Sequence, residues 1–278
     1  MSTNCSNTFS FNSKLFTNTR FESHELQKQQ EYFLNLKENE PVIIINNYKQ
    51  NKNLLEIRNN MINWVKFLCS TLKFNIQTLF RTTIIFDEYF PLIAEETNLN
   101  QNLLNLVTVG CLSLATKLEE NNCNYISFFT EKVLNLPNCQ IFSVKDLAKT
   151  EMSILKKLKF KTNYSTCVSF NEIFYKIFKE FEIKNNNKIY IKKLVENIMI
   201  ENITDISYIF NTQSYFSFLC FKETINKYYQ NNNFILRIYS FLFDNKNNFS
   251  ENEMFLTSLN KIINKNEKNP SLITIQTL

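Results

Sequence analysis

The sequence predicts an all-α protein. Glycine occurs once and proline four times in 278 residues, whereas hairpin-rich β folds need residues that tolerate positive φ at their turns. Apolar residues recur at steps of three or four along most of the chain, which is the period of a helix face. These helical stretches form two series of five, separated by a short polar turn. We therefore expect two tandem five-helix folds preceded by an N-terminal helix.

Four segments follow from this pattern. Residues 1–20 are polar and rich in Ser, Thr and Asn, so we expect a disordered leader. Residues 21–53 comprise an amphipathic helix over 22–38 and an extended connector. Residues 54–162 form the first five-helix fold, and residues 163–278 form the second.

The first series is the more regular of the two. Its apolar positions predict helices over residues 54–72, 75–90, 102–119, 125–134 and 144–158. The second of these helices should end before Pro91, because the residue before a proline disfavours the α conformation. The third is apolar almost all round, which is typical of a central helix.

The second series has a weaker apolar period and is predicted mainly from the order and length of its segments. It gives helices over residues 169–181, 187–202, 207–228, 233–243 and 251–264. No segment in either series has an apolar run long enough to cross a bilayer.

The single glycine, Gly110, lies in the middle of the third predicted helix. Glycine at such a position costs roughly 1 kcal/mol relative to alanine, and the chain uses glycine nowhere else. The small residues Ser113 and Ala115 follow it. We expect a neighbouring helix to approach this backbone closely. The alternative is that glycine arose here by a neutral substitution and has no role in packing.

The composition argues against several kinds of site. One glycine cannot supply the glycine-rich loops that bind phosphates. The seven cysteines include no C-x-x-C pair and His24 is the single histidine, so no zinc site of ordinary spacing is expected. An odd cysteine count without a secretory leader indicates a reducing intracellular compartment. We expect no catalytic residue, metal or cofactor, and therefore no enzyme.

Five stretches together resemble the sequence motifs of one family of helical proteins. L-V-T-V-G-C-L-S-L-A-T-K-L-E-E over 106–120 is similar to a central helix that ends in K-[FL]-E-E. K-D-L-A-K-T-E-M-S-I-L-K-K-L-K-F over 145–160 resembles the family's glutamate-containing helix that closes with L-x-F. I-R-N-N-M-I-N-W-V over 57–65 is similar to M-R-A-I-L-V-D-W-L. F-D-E-Y-F-P-L over 86–92 resembles Y-[IL]-D-R-[FY]-L, and S-T-C-V-S-F over 165–170 resembles T-P-x-x-F without its proline. The fold that these motifs resemble is the cyclin box, the helical fold of cyclins.

The resemblance covers about residues 54–170 and implies a regulatory subunit that binds and activates a cyclin-dependent serine/threonine kinase. Such a subunit orders the regulatory helix and activation loop of the kinase. Lys117 and Glu151 match the family's lysine and glutamate that grip the kinase backbone. Three apolar positions that pack against the kinase in the family match Leu118, Leu155 and Phe160. The alternatives are a Lys117–Glu151 bridge internal to the fold and an ordinary core role for the apolar residues.

The resemblance also implies a structural pair and a candidate docking patch. Arg58 and Asp87 match a pair that ties the first helix to the second. A substrate-docking patch, which binds R-x-L-type motifs in many cell-cycle cyclins, matches Ile57, Met61 and Trp64. The departures from the family's pattern at that patch, which leave the docking of such peptides open, are Asn60, Phe67 and Asn105.

Lys37–Glu38–Asn39 reads as a K-E-N degradation signal, but a chain this rich in Lys, Glu and Asn also yields the tripeptide by chance. A second hypothesis for function keeps the fold: a kinase-independent adaptor that binds transcription factors or nucleic acid through basic clusters, such as the one within residues 156–161. The net charge of +5 is mild for a nucleic-acid binder. The resemblance to cyclins thus implies a subunit that acts with its kinase and the kinase's substrates in the nucleus and cytoplasm.

Overall fold

The computed structural model describes residues 24–41, 48, 51–94, 99–120, 130–136, 143–181, 188–205, 208–209, 211–229, 238 and 242. Across these residues the regular elements are helices and no strand occurs, which confirms the all-α class. The α-helices are α1 (His24–Glu38), α2 (Lys52–Thr71), α3 (Ile76–Ala94), α4 (Gln101–Glu119), α5 (Val144–Lys157), α6 (Cys167–Phe181), α7 (Lys188–Asn202) and α8 (Gln213–Tyr229). A π-helical segment, Thr130–Leu134, lies between α4 and α5. None of the described helices has both the length and the apolar character that a membrane crossing requires.

Helix α4 is the centre of the first half of the fold, which comprises α2 to α5. It packs against α2, α3 and α5, and each of its residues from Val107 to Thr116 is buried. The hydroxyl groups of Thr108 and Thr116 donate to the carbonyls of Leu104 (2.7 Å) and Leu112 (3.0 Å), one turn earlier. These hydrogen bonds satisfy polar groups that would otherwise be costly in a dry interior.

Gly110 lies where α5 packs against α4. A Cβ atom at this position would lie 3.0 Å from Cγ2 of Thr150 and 3.1 Å from Cδ1 of Ile154. Both distances are shorter than an ordinary van der Waals contact between carbon atoms. Glycine therefore permits the close approach of the two helices that the sequence predicts.

The second half of the fold comprises α6, α7 and α8, which all pack against one another. Buried aromatic rings fill the interface between α6 and α8. The ring centroid of Phe174 lies 5.8 Å from those of Phe218 and Phe221, and Phe178 lies 6.0 Å from Phe221. Centroid distances in this range are typical of favourable aromatic pairs.

Helix α1 precedes the first half in the chain but packs against α6 of the second half. Its buried Phe33 ring meets Phe170 edge-on, with centroids 5.4 Å apart. Just after α1, the carboxylate of Glu40 accepts the backbone N–H of Ser214 (2.5 Å) in the first turn of α8. Such a carboxylate is favourable because the first N–H groups of a helix lack intrahelical partners. Helix α1 is therefore part of the second half in its packing.

Arg81 of α3 joins the first half to the linker between α5 and α6. Its guanidinium pairs with Glu119 at the end of α4. It also donates to the linker carbonyls of Thr162 (3.3 Å) and Tyr164 (2.8 Å). The planar guanidinium has five N–H donors, so one buried side chain can hold several acceptors at once. These contacts fix the path of the linker relative to α3 and α4.

Helices α2 and α5 are each followed directly by the same tripeptide, Leu-Lys-Phe. In both cases the lysine has a positive φ, 55° at Lys73 and 51° at Lys159. The phenylalanine N–H then donates to the carbonyl five residues earlier, that of Cys69 (3.0 Å) or Leu155 (2.7 Å). This is the hydrogen-bond pattern of a Schellman motif, in which glycine usually occupies the left-handed position.

The end predicted for α3 is wrong, because the helix continues through Pro91 to Ala94. A proline inside a helix removes one backbone hydrogen bond and costs about 3 kcal/mol. Here Phe90, Pro91 and Ile93 are all buried. Their burial against the core holds the last turn in helical form.

The start predicted for α8 is also wrong, because the helix begins at Gln213 rather than near residue 207. Thr212 precedes it, and its carbonyl accepts the N–H of Phe216 (2.9 Å), the first hydrogen bond of the helix. Gln213 has a tertiary role: its side-chain oxygen accepts the N–H of Cys167 (3.2 Å) and the hydroxyl of Tyr208 (3.3 Å). These contacts fix the break before α8.

Other predicted elements are described only in part. Of the helix predicted over 125–134, the structure describes Thr130–Leu134, which is π-helical. Of the helix predicted over 233–243, it describes Ile238 and Leu242, both helical and buried. The predicted leader and the helix predicted over 251–264 lie outside the described residues.

Candidate partner-binding surface on α4 and α5

Lys117 and Glu151, the predicted functional pair, form an ion pair between α4 and α5. The Nζ atom of Lys117 lies 2.6 Å from each carboxylate oxygen of Glu151. The hydroxyl of Ser113, one turn before Lys117, also donates to Glu151. The Glu151 side chain is 13% exposed and that of Lys117 is 40% exposed. The carboxylate is therefore held against α4, while the ammonium reaches the surface.

The start of α5 helps to place Glu151 opposite Lys117. Ser143 and Asp146 form a capping box: the Ser143 hydroxyl accepts the Asp146 N–H, and the Asp146 carboxylate accepts the Ser143 N–H, both at 3.1 Å. Hydrogen bonds from Ser143 lower the pKa of Asp146 below its usual value. The capped start and the close contact at Gly110 together fix the register of α5 on α4.

Apolar side chains on the same two helices accompany the ion pair. Leu118, next to Lys117, is 47% exposed, and Phe160, just after α5, is 64% exposed. Leu155, one turn after Glu151, is half-buried against the core. We define the α4–α5 surface as these five predicted residues: Lys117, Leu118, Glu151, Leu155 and Phe160.

Phe160 combines high exposure with an unusual backbone. Its φ is 61°, which is uncommon for a residue with a bulky side chain. Phe74, the last residue of the matching Leu-Lys-Phe tripeptide after α2, is instead packed against the core. Burying a phenylalanine contributes about 1.5–3 kcal/mol to stability. Phe160, unlike Phe74, therefore gains little of this contribution within the described fold.

Two glutamates at the end of α4 have structural partners that the sequence reasoning missed. Glu119 pairs with the buried Arg81 of α3. Glu120 accepts the N–H of Asn75 (2.7 Å) and the hydroxyl of Thr78 (2.5 Å) at the start of α3. The residues of the K-L-E-E motif thus have two roles. The lysine reaches the surface, while the two glutamates bind residues of α3 and at its start. The motif itself was the only signal in the sequence for these contacts.

Arg58 and Asp87, the predicted structural pair, form a fully buried ion pair between α2 and α3. Nε and Nη2 of Arg58 lie 2.6 Å and 2.8 Å from the two carboxylate oxygens of Asp87. The third nitrogen, Nη1, donates to the backbone carbonyl of Ile203 (3.2 Å) in the second half. Removing one partner of such a pair leaves a buried charge and costs about 3–5 kcal/mol.

The candidate substrate-docking residues on α2 are divided between core and surface. Met61 is 7% exposed and lies in the hydrophobic core, while Ile57 and Trp64 are half-buried against it. Phe67, three residues after Trp64, is 60% exposed. Helix α2 therefore presents Phe67 to solvent and keeps Met61 inside.

The K-E-N tripeptide lies at the C-terminal end of α1 and is folded onto the second half. The Nζ atom of Lys37 lies 2.8 Å from the Glu40 carboxylate and donates to the Ser214 hydroxyl (3.1 Å). The carbonyl of Asn39 accepts the N–H of Ser165 (2.9 Å). A protein that reads this tripeptide would have to compete with these contacts.

Burial raises the pKa of several groups near the core. The Cys69 thiol has a pKa of about 12, because burial disfavours the thiolate. Burial, together with the neighbouring charge of Asp87, raises the pKa of Glu88 to about 7, and Lys161 offsets part of this effect. Among the described residues no cluster of His, Cys, Asp or Glu side chains is arranged to hold a metal ion.

Comparison with known proteins identifies the fold. The family model of the cyclin N-terminal domain matches residues 25–163, half of the chain. A solved structure of a viral cyclin from herpesvirus saimiri aligns with a TM-score of 0.56 at 14% sequence identity, covering 78% of this chain and 88% of that chain. No curated protein matches the sequence. The bundle around α4 thus has a cyclin fold. The chain belongs to the cyclin family.

Proposed function

We propose that this cyclin binds and activates a cyclin-dependent serine/threonine kinase, as a heterodimer, in cell-cycle control. The Lys117–Glu151 ion pair carries the proposal, because it places a cation and an anion side by side at the edge of an apolar surface. The ammonium can bind a backbone carbonyl of the kinase, and the carboxylate can bind a backbone N–H. Charge-assisted hydrogen bonds of this kind are shorter and stronger than neutral ones.

The exposed apolar residues support a binding role for this surface. Leu118 and Phe160 leave about half and about two-thirds of a large apolar residue in contact with water. Aromatic and aliphatic side chains that become buried on binding often contribute much of the affinity of an interface. An internal salt bridge alone would explain Glu151 but not these two neighbours.

The proposed mechanism is a shift in the population of kinase conformations. A rigid helical surface that binds only the active arrangement of the kinase's regulatory helix moves the equilibrium toward that arrangement. The activation loop and the kinase's own Lys–Glu ion pair are then ordered, and phosphoryl transfer can proceed. The cyclin supplies differential affinity and no catalytic group.

The finer organisation also belongs to this proposal. We assign residues 54–162 to an N-terminal cyclin box and residues 163–278 to a second five-helix cyclin fold, with α1 as the N-terminal helix. The linker held by Arg81 supports a boundary near residue 163. We place the complex in the nucleus and cytoplasm, where cell-cycle kinases and their substrates meet.

The test is binding of the full chain to purified cyclin-dependent kinases, measured by calorimetry, together with kinase activity. The double variant Lys117→Ala with Glu151→Ala should weaken binding at least about tenfold, a loss of about 1.4 kcal/mol. Its helical content and melting temperature should change little, because partly exposed pairs contribute little to stability. Unchanged binding would refute the assignment, and loss of helical content would identify the pair as structural.

Two matched controls separate the surface from general effects. Lys192 and Glu172 also form a partly exposed ion pair between helices, at 3.3 Å, and their double alanine variant should bind the kinase normally. Phe67→Ala is the matched control for Phe160→Ala, because both phenylalanines are largely exposed. Phe160→Ala should weaken binding and Phe67→Ala should not. Equal losses in a variant and its control would contradict the proposed surface.

A further inference from the structure

The outer face of α5 carries a positively charged groove that the proposed kinase contact does not use. The groove is open, with a volume of about 610 Å³, and its described lining comes from one face of α5: Lys145, Ala148, Lys149, Met152, Ser153 and Lys156. Spacings of three and four residues place these side chains along one helical stripe. Glu151 and Leu155 lie on the adjacent side of the helix, toward α4.

The charge of this groove is only partly balanced within the described residues. Helix α5 contains two acidic residues, Asp146 and Glu151. Glu151 is paired with Lys117. Asp146 is hydrogen-bonded to Ser143 at the helix start, which lowers its pKa, and lies close enough to Lys145 and Lys149 for their charges to lower it further. No described carboxylate lies within ion-pair distance of the three groove lysines, Lys145, Lys149 and Lys156. The described lining of the groove therefore carries a net positive charge.

An exposed methionine lies between the lysines. Met152 is 45% exposed, and its flexible thioether side chain adapts readily to other apolar groups. The hydroxyl of Ser153 on the same stripe is hydrogen-bonded to that of the buried Tyr89 (3.0 Å), which anchors this part of α5 to α3. The groove thus combines an apolar contact with flanking positive charge on a rigid helix.

We infer that this groove binds an acidic peptide segment of a partner protein, with carboxylates on the lysines and one apolar side chain on Met152. Lys145 and Lys156 are separated by about 16 Å along the helix at 1.5 Å per residue. An extended peptide rises about 3.3 Å per residue, so about five or six residues span the groove. The exposed apolar side chain of Met152 between the lysines favours a peptide, because a peptide can supply an apolar side chain of its own at that point.

The test uses the full-length chain and a fluorescein-labelled hexapeptide of glutamates with one central leucine, followed by fluorescence anisotropy. The triple variant Lys145→Gln, Lys149→Gln, Lys156→Gln should weaken binding at least about tenfold. A matched triple variant at exposed lysines outside the groove, Lys28→Gln, Lys52→Gln, Lys73→Gln, should retain binding. Met152→Gln should weaken binding severalfold, while Met152→Leu should not.

Three results would overturn the inference. Equal loss of peptide binding in the two triple variants would show that binding depends only on the net positive charge of the chain. Tighter binding of a six-nucleotide oligothymidylate, lost in the groove variant, would identify a nucleic-acid surface instead. No measurable peptide binding at low salt would show that the groove binds no acidic segment. All the groove positions substituted are exposed, so circular dichroism should report unchanged helical content in every variant.

Discussion

Adjacent carboxylates on α3 have opposite environments, although both are largely removed from water. Asp87 is fully buried, and both of its oxygens are engaged by Arg58 at 2.6 Å and 2.8 Å. Glu88, the next residue, has one buried oxygen without a hydrogen-bond partner in the described structure. Because a buried charge is tolerable only when it is paired, the fold disfavours the ionised form of Glu88, which has no partner such as Arg58.

Glu88 should make the stability of this cyclin depend on pH. Its folded pKa of about 7 lies above the usual value of 4.5, so the folded chain holds this proton more tightly than the unfolded chain does. Ionisation of Glu88 therefore lowers stability as the pH rises from about 4.5 to about 7, and the penalty is complete above that range. Glu88→Gln should raise the free energy of unfolding by about 1–2 kcal/mol at about pH 8, after allowance for partial exposure.

Urea unfolding at about pH 5 and about pH 8 measures this effect. The gain from Glu88→Gln should be small at the lower pH, where the native carboxyl is already protonated. Glu31→Gln, a change on the exposed face of α1, should have little effect at either pH. A gain of the same size at both pH values would mean that side-chain hydrogen bonding, and not titration, is responsible.

At the scale of elements, the apolar period located most described helices within two residues of both ends. It failed at the end of α3 and at the start of α8. Whether a helix continues through Pro91 depends on the burial of its last turn, and the break before Gln213 depends on contacts with Cys167 and Tyr208. The end of α3 and the start of α8 both depend on tertiary packing, so the apolar period of the sequence cannot predict them.

Only part of the candidate site could be predicted from the sequence, again because some of its contacts join residues that are distant in the chain. Lys117 and Glu151 were predicted because each lies in a stretch that resembles the family's motif, and the structure brings the two side chains together. Ser113 and Arg81, which position Glu151 and the end of α4, were missed. Their partners are distant in the chain, and a serine or an arginine in an apolar helix has several ordinary explanations in a single sequence.

The paired Leu-Lys-Phe helix ends give a prediction at the same scale. Lys73 occupies the left-handed position of a Schellman motif, where a side chain crowds the backbone by about 1 kcal/mol or more. Lys73→Gly should therefore raise the free energy of unfolding by about 0.5–1 kcal/mol, measured by urea unfolding. Lys28→Gly, the same exchange in the middle of α1, should lower it by about 0.5–1 kcal/mol. Destabilisation by Lys73→Gly would mean that the positive φ at this position carries no strain.

At the scale of the whole molecule, the two halves are joined by polar contacts as well as by a shared core. Arg58 reaches the carbonyl of Ile203, Arg81 holds the linker, and Glu40 holds the start of α8. The hydrophobic core is continuous from α1 through α8. A partner that binds the α4–α5 surface therefore contacts helices whose positions depend on both halves of the fold.

Helix α1 should stabilise the second half, although it lies within the region that matches the cyclin N-terminal domain. Phe33 is 1% exposed and its ring contacts Phe170 and Phe174 of α6, with centroids 5.4 Å and 6.2 Å away. Phe33→Ala should therefore lower the free energy of unfolding by about 3–5 kcal/mol, the usual range for a buried phenylalanine. Hydrogen exchange should rise first in α6 and α8, because those helices lose their packing against α1 and against each other.

Leu34→Ala, at the next residue of α1, is the matched control. Leu34 is 54% exposed, so its truncation should change the free energy of unfolding by less than about 0.5 kcal/mol and leave exchange unaltered. If Phe33→Ala instead raised exchange in α4 and α5 while α6 and α8 stayed protected, α1 would belong energetically to the first half. With the expected outcome, any process that detaches α1 loosens the second half first and frees the K-E-N tripeptide from Ser165 and Ser214 in the same step.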